Sequence, residues 1–321
     1  MIALRLLRTA YERVVRPFVP HDVKSAIRTH LWLPVARAVD YPVSSPKVPR
    51  PRLVPGRDLM RLSHVVLACD LNPDYLDYWP SARRAWLEIV GIEPILLLIA
   101  EEDRVPDDLR ADPHVVSFTP IPDVHTALQA QCIRLLYPAL VDTEDAVLIA
   151  DVDLYPLRRS YFVDTIAKLD ARFFVSYRDV RMEGGQVAIA YNAATPRTWS
   201  DIFGARDMNA VGSQLAAWTS DLEYDGRRAW PGWYTDQQLL HRTLTHWTEA
   251  PHRWWVMDDA YTRHRQLDRL ELEKEHGLSP ERRDEIRRSK YSDYICLFPY
   301  HEHSDTNDLV LRLALDAAAL D

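Results

Sequence analysis

The chain alternates short, almost continuous apolar runs with longer mixed segments, and this alternation restricts its fold more than any other feature. The apolar runs HVVLAC (64–69), EPILLLIA (93–100) and AVLIA (146–150) are predicted to be buried strands, with helical segments between them. Strands buried on both faces are typical of a mostly parallel sheet, because crossover helices cover both of its sides. We therefore predict an α/β, Rossmann-like fold with a mostly parallel central sheet flanked by helices.

The N-terminal segment differs in composition from the rest of the chain. Residues 1–61 hold twelve Lys/Arg against four Asp/Glu, a net of +8, and the whole chain carries −8, so residues 62–321 carry −16. Residues 41–58 are rich in proline and basic residues and cannot form a long helix. We predict a basic helical arm and linker in residues 1–58 and one domain in residues 59–321, with a nucleotide-binding half (59–160) and an acceptor-side half (161–321).

Several features bear on where the protein resides. No apolar run approaches the roughly 20 residues of a membrane-spanning helix. Three widely spaced cysteines fit a reducing compartment, and arginines interrupt the first apolar residues too early for a secretory signal. We expect a cytoplasmic protein. The basic amphipathic arm could lie peripherally on the anionic inner face of the membrane, or could pack on the domain. No nucleic-acid partner is expected, because the body of the protein is acidic.

Two aspartates follow directly on the apolar run AVLIA. In an extended chain Asp151 and Asp153 point to the same side, at the carboxyl end of a buried strand. Two adjacent carboxylates are costly there unless a cation joins them. Mn²⁺ or Mg²⁺ takes oxygen ligands and shares its remaining positions with water and phosphate. The pair therefore predicts a bound metal ion to which a phosphorylated ligand can coordinate. The alternative interpretation is that both aspartates are solvated in a turn after the strand.

A helix carrying IRLLYPAL, a short acidic loop and the segment AVLIADVDLYPL together resemble the nucleotide-sugar-dependent glycosyltransferases of the GT-A fold. The resemblance is strongest to the retaining group typified by glycogenin and bacterial galactosyltransferases, and it extends over residues 62–240. It implies that Asp153 binds the metal, that Asp151 binds metal, ribose or both, and that Arg134 lies near the donor. Residues Ala68, Cys69 and Asp70 end the family's first strand, where it meets the nucleotide base and ribose.

Two segments further along match the same family less completely. The segment GGQVAIAY is predicted to contain a short apolar strand that ends before Asn192, and its position matches a family strand that shapes the acceptor side. In WPGWYTDQQLL, Asp236 and Gln237 match the first two positions of a family D-Q-D segment, although Gln238 replaces its second aspartate. The resemblance implies that Asp236 and Gln237 face the donor sugar and its reacting carbon. The alternative is that Thr235 or Asp236 only caps the helix.

The family's third metal ligand is a histidine near the C-terminus, in an H-x-x-G-x-x-K-P-W motif. This chain offers His301 and His303 in FPYHEHSD, and neither the glycine nor KPW follows. Either imidazole could complete an octahedral site with the two aspartates, and only one of them faces inward if the segment is extended. Asp305 is an alternative oxygen ligand, and two exposed histidines are the simpler interpretation.

The resemblance implies a metal-dependent hexosyltransferase that moves a sugar from a UDP- or GDP-sugar to a glycan, glycolipid or other hydroxyl acceptor, with retention favoured. Asp236 is the candidate base if the reaction inverts configuration. Two alternatives remain open. A phosphatase of the haloacid dehalogenase type also places D-x-D after an apolar strand, although Tyr155 stands where that family has Thr or Val. A catalytically inactive transferase fold could bind only carbohydrate or a protein partner.

Overall fold

The central sheet has seven strands in the described part of the chain, and most of its neighbouring strands run parallel. The computed structural model describes residues 58–180, 185–219, 224 and 232–320. In chain order the strands are β1 (Leu62–Asp70), β2 (Glu93–Ile99), β3 (Val115–Phe118), β4 (Ala146–Ile149), β5 (Leu154–Pro156), β6 (Phe174–Ser176), β7 (Asn192–Ala194), β8 (Trp254–Val256), β9 (Gln266–Leu267) and β10 (Asp293–Ile295). The sheet order is β3-β2-β1-β4-β7-β6-β8, and β7 alone runs antiparallel to its neighbours. The predicted mostly parallel α/β sheet is confirmed.

A second, smaller sheet begins immediately after the two aspartates. It has the order β5-β10-β9, with β5 antiparallel and β9 parallel to β10. Strand β4 ends at Ile149 and strand β5 begins at Leu154, so the chain leaves one sheet and enters the other within four residues. Asp151 and Asp153 therefore lie at the junction of the two sheets rather than inside a strand.

Helices cover both faces of the central sheet. The helices are α1 (Pro73–Leu76), α2 (Trp79–Ala85), α3 (Asp107–Arg110), α4 (Thr126–Ile133), α5 (Arg159–Phe162), α6 (Pro196–Phe203), α7 (Met208–Thr219), α8 (Thr235–His246), α9 (Ala250–Arg253), α10 (Asp259–Thr262), α11 (Arg269–Lys274), α12 (Pro280–Arg287) and α13 (Tyr300–Ala318). Alternate side chains of β4 enter two separate cores: Leu148 joins the core that contains Trp86, and Val147 joins the one that contains Trp199. This two-sided burial is why the strands are almost continuously apolar.

Two predicted elements differ from the observed ones. The helix expected to carry IRLLYPAL (133–140) ends at Ile133, with Arg134 as its C-cap, and Tyr137–Leu140 forms a short 3-10 turn. Pro138 lacks an amide N–H and disfavours helical backbone at the preceding residue, so the helix cannot continue through it. The apolar run before Asn192 is not a strand, because Tyr191 has a left-handed φ of 67° that breaks the extended conformation.

The segment that carries the two histidines is helical, whereas the sequence argument considered an extended one. Tyr300–Ala318 forms the 19-residue helix α13, so His301 and His303 lie in its first turn. Residues two apart on a helix are separated by about 200° and point to opposite sides. The buried Asn307 side chain ties α13 to the segment before it. Its Oδ1 accepts a hydrogen bond from the Leu297 amide and its Nδ2 donates one to the Leu297 carbonyl, both at 3.0 Å.

All described residues belong to one compact unit, Val48–Asp321, and the unit Met1–Lys47 lies outside them. The predicted helical arm and linker, residues 1–58, lies outside the described residues except for Asp58. Within residues 58–320, apart from the gaps named above, no helix has the length and apolar content to span a bilayer.

Candidate functional site

The carboxyl ends of β1 and β4 form the edge of the sheet at which the predicted residues collect. The two strands are parallel neighbours, with Val66 opposite Ile149. Ligands of open α/β sheets bind outside this edge. Asp70, the last residue of β1, accepts hydrogen bonds from the Thr126 hydroxyl at 2.6 Å and from the Asn72 amide at 3.1 Å. The carboxylate of Asp70 thereby links the end of β1 to the start of α4.

Arg134 joins three elements at this edge. From the end of α4, its Nη1 donates to the Asp151 carboxylate and to the Ala150 carbonyl, both of which follow β4. Its Nη2 donates to Oδ2 of Asp236, in the first turn of α8, at 2.8 Å. Its Nε donates to the carbonyl of Gln131 at 3.2 Å. The sequence predicted each of these charged residues for the site, and the structure brings them together as one ion-pair cluster.

The Arg134–Asp236 pair is shielded from solvent. Arg134 is 5% exposed and Asp236 is 2% exposed. Burial opposes the charge of Arg134, yet Asp151 and Asp236 hold the pKa of its guanidinium above the usual value. Burial raises the pKa of the Asp236 carboxyl, and Arg134 counteracts that rise. Since two carboxylates share one guanidinium, the cluster has a net negative charge, which favours a cation or hydrogen-bond donors beside it.

Asp236 satisfies an amide of α8 as well as binding Arg134. Its Oδ1 accepts a hydrogen bond from the Gln237 amide at 2.7 Å. Thr235, the other capping candidate, instead donates its hydroxyl to the Gly232 carbonyl at 2.7 Å. Tyr234 occupies the N-cap position without a side-chain cap. The capping role therefore belongs to Asp236 only in part, and the same carboxylate also carries the ion pair.

Gln237 presents a hydrogen-bond acceptor that no described residue satisfies. Its Oε1 is buried and has no partner within the described chain, while its backbone carbonyl accepts from the Val187 amide at 3.2 Å. An acceptor left in this state costs about 1–3 kcal/mol. A hydroxyl group of a bound ligand would supply the missing donor at this position.

Asp153 has a different arginine partner from Asp151. Its Oδ2 is 3.3 Å from Nη1 of Arg269, and both side chains are 13% exposed. Arg269, the first residue of α11, also donates to the Cys296 carbonyl at 3.3 Å, and the Cys296 amide donates to the Asp153 carbonyl at 3.0 Å. Sequence reasoning missed Arg269, because nothing in its spacing separates it from the other arginines of residues 263–290.

The predicted histidine ligands do not meet the aspartates. The imidazole of His301 is 54% exposed, and its Nδ1 is 3.8 Å from a carboxylate oxygen of Asp74. His303 is half-buried on the same helix. Over the described ranges, no three His, Cys, Asp or Glu side chains are close enough together to hold a metal ion.

The donor chemistry nevertheless fits a hard divalent cation. Asp151 and Asp153 supply the carboxylate oxygens that Mg²⁺ and Mn²⁺ prefer. Sites of this kind often use only one or two carboxylates and complete the coordination shell with phosphate oxygens and water. The two aspartates therefore suit a cation that shares its shell with a bound diphosphate, and in the described arrangement each aspartate faces an arginine.

The remaining predicted residues have structural partners. Asn192 is fully buried; its Oδ1 accepts from the Ser176 hydroxyl at 2.7 Å and its Nδ2 donates to the carbonyls of Ala188 and Ile189 at 2.8 Å. This side chain shapes the loop before β7. In β1, Ala68 is half-buried and Cys69 is buried. Burial, with Asp70 adding to it, raises the pKa of the Cys69 thiol.

The aromatic residues at positions 233, 234, 254 and 255 differ in burial. Trp254 is buried, and its indole N–H donates to the Ser176 hydroxyl at 3.1 Å. Trp233, Tyr234 and Trp255 are half-buried. Trp230 lies outside the described residues.

Comparisons with known proteins identify glycosyltransferases among solved structures. No protein-family profile and no curated protein sequence matches the chain. The glycosyltransferase GlyE of Streptococcus pneumoniae TIGR4 is 12% identical with a TM-score of 0.43, over 82% of this chain and 62% of GlyE. The galactosyltransferase LgtC, solved with donor and acceptor sugar analogues, is 13% identical with a TM-score of 0.41, over 78% of this chain and 95% of LgtC. The mannosyltransferase PcManGT of Pyrobaculum calidifontis, solved with GDP-Man and Mn²⁺, is 14% identical with a TM-score of 0.38, over 82% of this chain and 75% of PcManGT. The chain thus spans less than two thirds of the length of GlyE.

Proposed function

We propose that the protein is a glycosyltransferase that moves a sugar from a nucleoside-diphosphate sugar to a hydroxyl group of a glycan or glycolipid. The observation that carries this proposal is the cluster in which Arg134 holds Asp151 and Asp236 together. It joins the strand end that suits a metal and diphosphate to the helix end that carries Gln237. A donor bound across this cluster would have its diphosphate at one side and its sugar at the other.

The chemistry of such a donor matches the charges of the site. Breaking the bond at the anomeric carbon gives an oxocarbenium-like transition state and builds negative charge on the leaving diphosphate. A Mn²⁺ or Mg²⁺ ion held by Asp151 and Asp153 would neutralise that charge. The Asp70 carboxylate would accept a hydrogen bond from a ribose hydroxyl. The buried Oε1 of Gln237 would accept a hydrogen bond from a hydroxyl of the sugar or lie against its reacting carbon.

The hydrogen bonds of Asp236 favour retention of configuration in this proposal. One of its oxygens accepts from the Gln237 amide and the other from Arg134. Both oxygens are thus directed at donors of the protein rather than at an acceptor hydroxyl, even though burial raises the pKa of this carboxyl. Asp236 would therefore position Gln237 and stabilise the positive anomeric centre, rather than take a proton from the acceptor as an inverting enzyme requires.

A thermal-shift titration tests the metal and nucleotide parts of the proposal. UDP and GDP are titrated with and without Mn²⁺, on the wild-type protein and on Asp153→Ala. Ligand binding stabilises the folded state by RT ln(1 + [L]/Kd), about 2.7 kcal/mol at 100 times Kd. We expect stabilisation that requires Mn²⁺ and is lost in Asp153→Ala. The matched control is Asp145→Ala, at the opposite end of β4, which should bind as the wild type does.

Three results would count against the proposal, and the second and third of them each favour one of the two alternatives. Without a Mn²⁺-dependent shift for either nucleotide, or with one that persists in Asp153→Ala, the metal–diphosphate site is wrong. Release of phosphate from p-nitrophenyl phosphate would favour the phosphatase. Metal-dependent nucleotide binding without transfer or hydrolysis of any UDP- or GDP-sugar would favour the inactive carbohydrate-binding fold.

A further inference from the structure

The second aspartate of the D-x-D pair has an arginine partner that no sequence motif indicates. Arg269 and Asp153 are 116 positions apart in the chain, and their side chains meet at 3.3 Å with little exposure to solvent. Arg269 is also bound to the Cys296 carbonyl, which keeps the guanidinium at the end of β10. A positive group is therefore fixed beside the carboxylate that is proposed to hold a cation.

The charges of this pair change when a ligand binds. In the arrangement described, Arg269 offsets the charge of Asp153, as Arg134 offsets that of Asp151. If Asp153 becomes a ligand of a divalent cation, its charge is neutralised by the metal and the adjacent guanidinium is left without an equal counter-charge. Two cationic groups this close repel each other unless an anion enters with the metal.

A diphosphate is the anion that fits both groups. Its oxygens can complete the coordination shell of a hard divalent cation. The planar guanidinium of arginine presents paired N–H donors that match phosphate oxygens, and such charge-assisted hydrogen bonds are among the strongest in proteins. A donor diphosphate would thus satisfy the metal and Arg269 together, and it would restore the charge balance that Asp153 no longer provides.

We infer that Arg269 is a diphosphate-binding residue: it neutralises Asp153 in the free protein and binds the terminal phosphate of a nucleoside diphosphate when Asp153 binds the metal. This inference rests on the proposed function and deepens it, because it assigns a second cationic group to the leaving diphosphate. It also predicts competition, since Arg269 and the cation share one carboxylate in the absence of nucleotide.

Calorimetry with nucleotides of two lengths separates this role from a structural one. UDP and UMP, and GDP and GMP, are titrated into wild-type protein and Arg269→Gln in the presence of Mn²⁺. Loss of a charged phosphate contact should weaken diphosphate binding about tenfold or more, while the monophosphates, which lack the terminal phosphate, keep their affinity. Arg269→Lys should retain most of the preference for the diphosphate. The control is Arg265→Gln, which removes a neighbouring arginine paired with Glu285 at 3.1 Å, outside the site.

A second measurement uses Mn²⁺ alone and therefore needs no nucleotide. Electron paramagnetic resonance measures free Mn²⁺ during titration of each protein. Arg269→Gln should bind Mn²⁺ more tightly than the wild type, because it removes the competing cation from Asp153. If Arg269→Gln does not fold, the comparison is repeated with Arg269→Met, which removes the charge but keeps an unbranched side chain of similar length beside Asp153. The preference for UDP over UMP should fall in this variant as well.

The outcomes distinguish this inference from the proposed function. If wild-type protein binds UDP or GDP with Mn²⁺ and Arg269→Gln weakens diphosphate and monophosphate equally, Arg269 is only a structural partner of Asp153 and the inference is wrong. Unchanged binding of both nucleotides and of Mn²⁺ in Arg269→Gln also overturns it. If the wild-type protein binds no nucleoside diphosphate under any of these conditions, the proposed function fails and this inference fails with it.

Discussion

At the scale of single residues, the buried ion pairs of Arg134 affect the stability of the protein differently from ion pairs at the surface. An exposed pair such as Arg84 and Glu88 is screened by water and contributes little to stability. Arg134 and Asp236 are both removed from water, and the cost of desolvating them is offset by their mutual attraction, by the charge of Asp151 and by their hydrogen bonds. Such a pair is sensitive to loss of one partner, because the remaining charge is then buried without compensation.

Replacing Arg134 should therefore destabilise the protein strongly. We expect Arg134→Leu to lower the free energy of unfolding by about 3–5 kcal/mol, since Asp236 is left buried and unpaired. The matched control Arg84→Leu, which removes an arginine of the exposed pair, should cost less than about 1 kcal/mol. Urea denaturation of the three proteins measures both differences.

A double variant separates the electrostatic cause from simple loss of packing. Arg134→Leu/Asp236→Leu removes both buried charges, so it should recover part of the stability that Arg134→Leu loses. It should not recover metal-dependent transfer, because the proposed sugar-side carboxylate is gone. Equal losses for Arg134→Leu and Arg84→Leu would show that the cluster does not hold the two elements together.

At the scale of secondary structure, the end of the helical segment before β2 depends on one glycine. The π-helical turn Trp86–Val90 continues α2 and ends at Gly91, whose φ of 75° is in the left-handed region. Residues other than glycine rarely adopt that backbone conformation. Gly212 is the useful contrast, because it lies inside α7, where a Cβ would meet only a ring carbon of Phe118 at 3.8 Å.

The same substitution at these two glycines should have opposite effects. Gly91→Ala should destabilise the protein by about 1–2 kcal/mol, because alanine is strained at positive φ although no atom lies within 4 Å of the new Cβ. Gly212→Ala should stabilise it by about 0.5–1 kcal/mol through higher helix propensity. Chemical denaturation provides the comparison, and a stabilising Gly91→Ala would contradict the left-handed helix end.

Elements of regular periodicity were predictable, whereas their ends were less so. The strands around AVLIA and EPILLLIA occur where their local patterns predict them. The helix before Arg134 ends earlier than expected, and the apolar run before Asn192 is not a strand. In the second case the left-handed backbone of Tyr191 is supported by a hydrogen bond of 2.8 Å from its hydroxyl to the distant, buried Asp293. A contact between residues so far apart has no trace in the local pattern.

At the scale of the whole molecule, charge is distributed unevenly along the chain. Residues 1–47 hold eight Lys/Arg against three Asp/Glu, while the chain as a whole is acidic. Each basic residue near an anionic surface contributes about 1 kcal/mol of attraction, which salt screens. We propose that this segment brings the protein to an anionic membrane on which a glycolipid acceptor is presented.

Removing residues 1–47 should abolish binding to anionic vesicles. The cut is placed there because Asp58 and Met60 make backbone hydrogen bonds to Ala171 and Leu169, which a shorter chain would lose. We expect the full chain to co-sediment with phosphatidylglycerol-containing vesicles at low salt, and not with neutral ones, while the truncated chain stays in the supernatant. Equal pelleting of the two proteins would refute the membrane proposal.

The alternation of apolar runs and the D-x-D pair at a strand end follow from the order of residues along the chain, whereas Arg134, Asp236 and Gln237 became candidates through the resemblance to GT-A glycosyltransferases. Periodicity and burial are local properties, so neighbouring positions are enough to predict them. The partners of each charge depend on folding instead: Arg134 meets Asp236 across 102 positions, and Arg269 meets Asp153 across 116. Only the tertiary structure, which brings α8 to Arg134 and α11 to Asp153, decides which arginine neutralises which carboxylate, because the Coulomb energy depends on distances in space and on local burial.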